Sequence, residues 1–86
     1  MTNQIDSILK EIVAERVNQD RKWGGPEHDD EHRPEEWAAF IVDHAAKAGI
    51  HEDPREFRRR MVRVAALAVA AIESRDRVGA TIEGKP

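Results

Sequence analysis

Residues 53–72 read DPREFRRRMVRVAALAVAAI, and the fold turns on this stretch. Asp53-Pro54-Arg55-Glu56 is a helix start, with Asp53 as N-cap, Pro54 at the first helical position and Glu56 as the reciprocal carboxylate of a capping box. Behind it the apolar positions widen until Met61 to Ile72 carries one charged residue, Arg63. A helix apolar nearly all round has to be covered nearly all round. Two short helices of the same chain fall short of that. Ala65, Ala66, Ala68, Ala70 and Ala71 would let another helix approach closely. The expectation is an all-α oligomer, a dimer or higher, whose third helices meet at the centre of a helical bundle.

Working outward, a first helix is marked by Ile5, Ile8, Leu9, Ile12, Val13 and Val17, which recur at helical spacing on one stripe. The pattern fades near Arg21, and Gly24-Gly25-Pro26 breaks the chain. Residues 22–33 then form a long polar connection without periodicity, and such loops are often functional. Pro34 suits the first turn of a second helix, with Glu35 and Glu36 at its positive end. That helix carries Trp37, Phe40, Ile41, His44, Ala45 and Ala48 on one stripe, and Gly49 stops it. The expected organisation is a single helical domain over residues 1–78, with helices at about 3–21, 34–48 and 54–77 and a flexible tail over 79–86. No repeat or strand pattern is visible.

Eighty-six residues make one domain whose core is marginal unless chains associate. The absence of cysteine excludes disulfides and thiolate metal sites and fits a reducing cytoplasm. No signal peptide is legible, and the longest apolar run, Val64 to Ile72, is nine residues, too short to span a membrane. A net charge of −3 argues against broad binding to duplex nucleic acid. The charge is uneven, acidic over residues 27–36 and basic over 55–63.

Arg55, Arg59 and Arg63 follow at i, i+4 spacing and line one helical face. Like charges so placed repel by ~0.2–0.5 kcal/mol per pair, so something negative is expected opposite them. Guanidinium forks match phosphate oxygens, and with Lys47 and His44 opposite they would make a phosphate cradle. The alternative is a salt-bridged surface, in which each exposed pair contributes ~0–1 kcal/mol. His28-Asp29-Asp30-Glu31-His32 offers imidazoles and carboxylates competent to ligate metal, or a solvated acidic loop that pairs with the arginines. His44 is either a core residue or part of a polar cluster with Asp43 and Lys47. Trp23, between Lys22 and two glycines, would stack on a nucleobase, worth ~1–3 kcal/mol in known cases, or anchor the loop over the core.

The segment Glu15-Arg16-x-x-Gln19-Asp20-x-Lys22-Trp23-Gly24, then Trp37, Asp43-His44-x-x-Lys47 and Arg58-Arg59-x-x-Val62, resembles small MazG-like proteins. These are relatives of the all-α nucleoside-triphosphate pyrophosphohydrolases, common in bacteriophages and prophages. The resemblance covers about residues 8–77, and its Lys-Trp-Gly segment is the distinctive part. It implies a multi-chain helical bundle that binds a nucleotide with Mg²⁺ between helices, through Glu-Glu-x-x-Glu and Glu-x-x-Asp motifs. Here the first motif aligns with Asp43-His44-x-x-Lys47 and the second with Arg60-x-x-Arg63, so carboxylates give way to cations. Such a site repels Mg²⁺, which needs oxygen ligands.

These readings converge on a binder of phosphorylated nucleotides that does not turn them over. The expected ligand-binding set is Arg55, Arg59, Arg60, Arg63, His44, Lys47, Trp23 and Lys22, with no cofactor; in a phage setting the protein would act as a sponge for a signalling nucleotide in the host cytoplasm. The alternative is a Mg²⁺-dependent pyrophosphohydrolase that gathers its metal from Glu11, Glu15 and Asp43. A third reading is a structural or interaction module with no small-molecule ligand.

Overall fold

The computed structural model describes residues 3–50 and 52–83. It is all-α: α1 spans Asn3–Trp23, α2 Gly25–Asp29, α3 Pro34–Gly49 and α4 Pro54–Glu83, with no strand among the described residues. Three long helices match the expected elements, and α4 is the spine on which α3 and α1 pack. Its 30 residues correspond to a rod of ~45 Å, and the molecule's longest extent is 45 Å. Among the described residues no helix is long and apolar enough to cross a membrane.

The helix starts follow from the sequence. Asp53 Oδ1 accepts the Arg55 backbone N–H at 2.9 Å, the bond an N-cap aspartate makes, and is worth ~1 kcal/mol. At α3 the Arg33 backbone N–H donates to the Glu36 carboxylate at 2.8 Å, with Pro34 at the first helical position.

Two boundaries differ from those expected. The connection over residues 22–33 is not structureless, because α1 runs to Trp23 and α2 follows after one residue. Gly24 (φ 102°) and Gly25 (φ 72°) make this turn in the left-handed region that disfavours other residues. The Gly24 N–H closes α1 on the Asp20 carbonyl at 3.0 Å. A five-residue helix is too short to show periodicity, which is why the sequence conceals it. At the other end α4 continues to Glu83, past the expected stop at 77; the rest of the expected tail, 84–86, lies outside the described residues.

The core is narrow. Trp37 of α3 meets Leu67 and Ala70 of α4, with Ile41 and Ala71 packed against them. Burial of Trp37 and Leu67 stabilises by ~1.5–3 kcal/mol for each aliphatic-sized side chain enclosed. The largest wholly buried side chain is a hydroxyl, that of Ser74, which donates to Asp30 Oδ1 at 2.8 Å and approaches the Asp29 carbonyl at 3.2 Å. This ties the end of α2 to α4, and Arg77 reinforces it with donor bonds to both Asp30 oxygens.

Along α1 the apolar stripe splits. Ile8 and Ile12 turn toward Met61, Val62 and Ala65 of α4. Ile5, Leu9, Val13 and Val17, one row over, are 45, 45, 62 and 53 % exposed. On α4, Val69 and Ile72 are also exposed.

Candidate functional site

Of the concavities beside α4, two take four of the expected ligand-binding residues, two each. The first, about 330 Å³, opens between Trp23 at the end of α1, His28 and Asp29 of α2, His32 of the linker, Trp37, Phe40 and His44 of α3, and Leu67 beneath. That volume falls at the lower end of the range for small-molecule sites, ~300–1,000 Å³. The second, about 440 Å³, is a shallow groove between Glu11, Ala14 and Glu15 of α1 and Arg55, Arg58, Arg59 and Val62 of α4.

The first cavity is aromatic. The His32 ring stands edge-to-face against Trp37 at 5.3 Å, Phe40 at 5.1 Å and His28 at 4.9 Å. Two buried polar atoms of the lining residues, Trp37 Nε1 and Asp29 Oδ2, have no hydrogen-bond partner. Arg16 Nη2 lies 3.9 Å from Asp29 Oδ2, too far for a hydrogen bond. Its attraction does not offset desolvation, and burial pushes the Asp29 carboxyl above its ordinary range.

At the α3–α4 end of this cavity, burial depresses the basicity of His44, and Arg63, Lys47 and Arg60 depress it further against the opposing pull of Asp43. Three cations therefore lie near the imidazole, each with an acid close to it. Lys47 is itself paired with Asp43 at 3.0 Å. Arg63 Nε is 3.9 Å from Glu15. Arg60 Nε lies 3.5 Å from the Glu56 carboxylate, yet it is buried with no hydrogen bond, so the contact is electrostatic and poorly aligned.

The second groove is dominated by closed ion pairs. Arg58 grips Glu11 with both Nη atoms, at 2.7 and 2.6 Å. This mutual bond holds the Glu11 carboxyl below its usual value and raises that of Arg58. Arg59 forks onto Glu56 one turn back, and Arg55, 95 % exposed, rests 3.7 Å from Asp53. The i, i+4 row of arginines thus exists, but each member faces a nearby acid.

The expected single cradle is consequently not assembled. Trp23 and His44 line the aromatic cavity, Arg55 and Arg59 line the groove, and Arg60 and Arg63 lie within electrostatic reach of His44. Lys22, exposed in the last turn of α1, lines neither concavity. The acidic loop does not meet the arginine cluster either. Asp30 takes Arg77, and Asp29 faces Arg16, which also binds Asp20 and Glu73.

The alternative metal set is likewise separated. Glu11 is taken by Arg58 and Asp43 by Lys47, while Glu15 accepts from Asn18 and Gln19. Among the described residues no three His, Cys, Asp or Glu side chains converge as a metal requires. With its carboxylates apart and held by cations or amides, this donor set does not fit Mg²⁺.

Sequence reasoning missed Gln19, 2 % exposed on α1, whose amide approaches the Arg63 carbonyl and Glu15 at 3.4 Å. It also missed buried Asp29 and Ser74. The one available signal was that Gln19 falls within the quoted MazG-like segment. Comparison with protein-family models, with curated proteins and with solved structures finds no match to this chain.

Proposed function

We propose that the protein binds a phosphorylated nucleotide without hydrolysing it. The ring occupies the cavity of Trp23, Trp37 and Phe40, and the phosphates lie toward Arg60, Arg63 and Lys47 around His44. The observation that carries this reading is an aromatic cavity lined by a half-buried imidazole that has Arg63, Lys47 and Arg60 near it. Flat apolar walls suit a base, and three cations gathered at one end, each able to turn from its acid, suit an anion. The buried Trp37 Nε1, which lacks an acceptor, adds a donor for a base or ribose oxygen. The resemblance to small MazG-like proteins points to the same ligand class, and the replacement of motif carboxylates by cations favours binding over metal-assisted hydrolysis.

Arg55 and Arg59 leave the binding set in this reading. Their partners are Asp53 and Glu56 at the start of their own helix, the salt-bridged surface of the alternative reading, while Arg58 ties α4 to Glu11 of α1. A second copy of the chain completes the fold. The support is the thinness of the core together with an uncovered apolar row on α1, since domains of this size bury a smaller share of their surface and are marginal alone.

The test is capture from a mixed pool of nucleotides, split between Mg²⁺ and EDTA, with mass spectrometry of the bound and free fractions. Intact nucleotide retained in EDTA is the expected result, and Arg63→Glu lowers that retention at least tenfold while Arg59→Glu leaves it within about twofold. Release of monophosphate and pyrophosphate only with Mg²⁺ would restore the enzyme. No retained nucleotide in either arm would leave the structural reading.

A further inference from the structure

We propose that His28 and His32 form a bidentate site for a late first-row transition-metal ion, Zn²⁺, Ni²⁺ or Cu²⁺, at the rim of the aromatic cavity. Their Nε2 atoms stand 3.4 Å apart. Two imidazole nitrogens each ~2.0–2.1 Å from one tetrahedral ion are separated by ~3.4 Å, so the pair already has the bite such an ion needs. Sequence spacing and backbone produce this together. The residues are one helical turn apart, and the turn is continued past α2 by Asp30 N–H on the Pro26 carbonyl at 2.9 Å and His32 N–H on Asp29 at 3.1 Å. Histidines at i, i+4 on one face are a recurrent metal-holding arrangement.

The rings are also positioned. Trp37 and Phe40 hold the His32 imidazole edge-on, which limits the rotamer freedom that binding would otherwise remove. Between the two histidines lies Asp29, 6 % exposed, whose Oδ2 lacks a hydrogen bond; its charge favours a cation nearby without serving as a ligand. In the pair as it stands, one Nε2 donates and the other accepts. A metal ion takes the Nε2 lone pair of both rings, which leaves the ring proton of each on Nδ1. Imidazole ligands suit Zn²⁺, Cu²⁺ and Ni²⁺ rather than Mg²⁺ or Ca²⁺. Because no third protein ligand of the described residues joins them, the remaining coordination positions go to water and open toward the cavity.

The inference stands apart from the nucleotide reading, since it requires no anion. The experiment is therefore run nucleotide-free, on the untagged full chain in a non-coordinating buffer at pH 7.5. Calorimetric titration with Ni²⁺ and with Zn²⁺ is expected to show a single ion per chain, with the Nε2-side resonances of His28 and His32 perturbed in NMR spectra of the Zn²⁺ form. His28→Gln, at an exposed position, and His32→Gln should each weaken binding at least ~tenfold, with unchanged helical circular dichroism. If the unsubstituted chain takes up neither ion at micromolar concentration, the site does not exist. Equal affinity in a folded His28→Gln chain would also overturn it, whatever the fate of the His32 variant.

Discussion

At His44, burial first and then Arg63, Lys47 and Arg60 outweigh Asp43 and keep the folded-state pKa below the reference value of 6.5. The sign of the linkage follows. As pH falls through 6.5 the unfolded chain takes up the proton before the folded one does, so the folded state loses stability. The loss ends once pH drops below the folded-state pKa. In His44→Gln this contribution disappears, so the difference in urea midpoint between the two proteins should change between pH 7.5 and 5.5, the unsubstituted chain losing more. A parallel fall in both would place the imidazole outside any such environment. If a phosphate binds beside His44 as proposed, its negative charge opposes this shift and favours the protonated imidazole. Legibility at this scale was partial. The sequence singled out His44, Asp43 and Lys47 and set the arginine row opposite them; Arg63 does lie near His44, but Arg55 and Arg59 of the same row line the other groove, a split that spacing on one helix does not reveal.

At the scale of the element, α1 shows why periodicity reports width and not partner. Ile5, Ile8, Leu9, Ile12, Val13 and Val17 read as a single stripe, yet only the Ile8–Ile12 row meets α4. The outer row at i, i+4 spacing is left at the surface. If a second copy covers that row, Val13→Glu separates the copies without unfolding the chain, because Val13 is 62 % exposed and the core cluster is built from Trp37, Leu67 and Ala70. Light scattering coupled to size exclusion should then give half or less of the unsubstituted mass. An unchanged mass would remove α1 from the interface. The arginine row of α4 carries the same lesson. Its spacing was plain, but Arg55 and Arg59 turn to Asp53 and Glu56 of their own helix start, and only Arg63 of the row faces an acid of α1, Glu15; the fold also brings Arg58 and Glu11 together across 47 positions. Residues 27–36 looked like the natural counter-charge, but they were drawn to Arg77 and Arg16 by the glycine turn that precedes α2.

For the molecule as a whole, the radius of gyration is 14.2 Å, against ~12 Å for a compact chain of this length. The excess reflects one long spine with shorter helices laid along it. The all-α class was legible because three long helices announce themselves by their apolar stripes and starts. Openness was not, since it depends on how much of each stripe finds a cover. One consequence belongs to thermodynamics. A fold whose large apolar core side chains among the described residues are few, Trp37 and Leu67, with small alanines beside them, removes little apolar surface from water, and heat capacity registers that directly. A lone chain should unfold with ΔCp below the usual ~12–15 cal/mol/K per residue, giving a broad, shallow stability curve, whereas assembly that covers α1 brings the value back into that range. Scanning calorimetry of the intact protein beside Val13→Glu would read the difference as curvature, with the assembled form losing more of its stability on cooling.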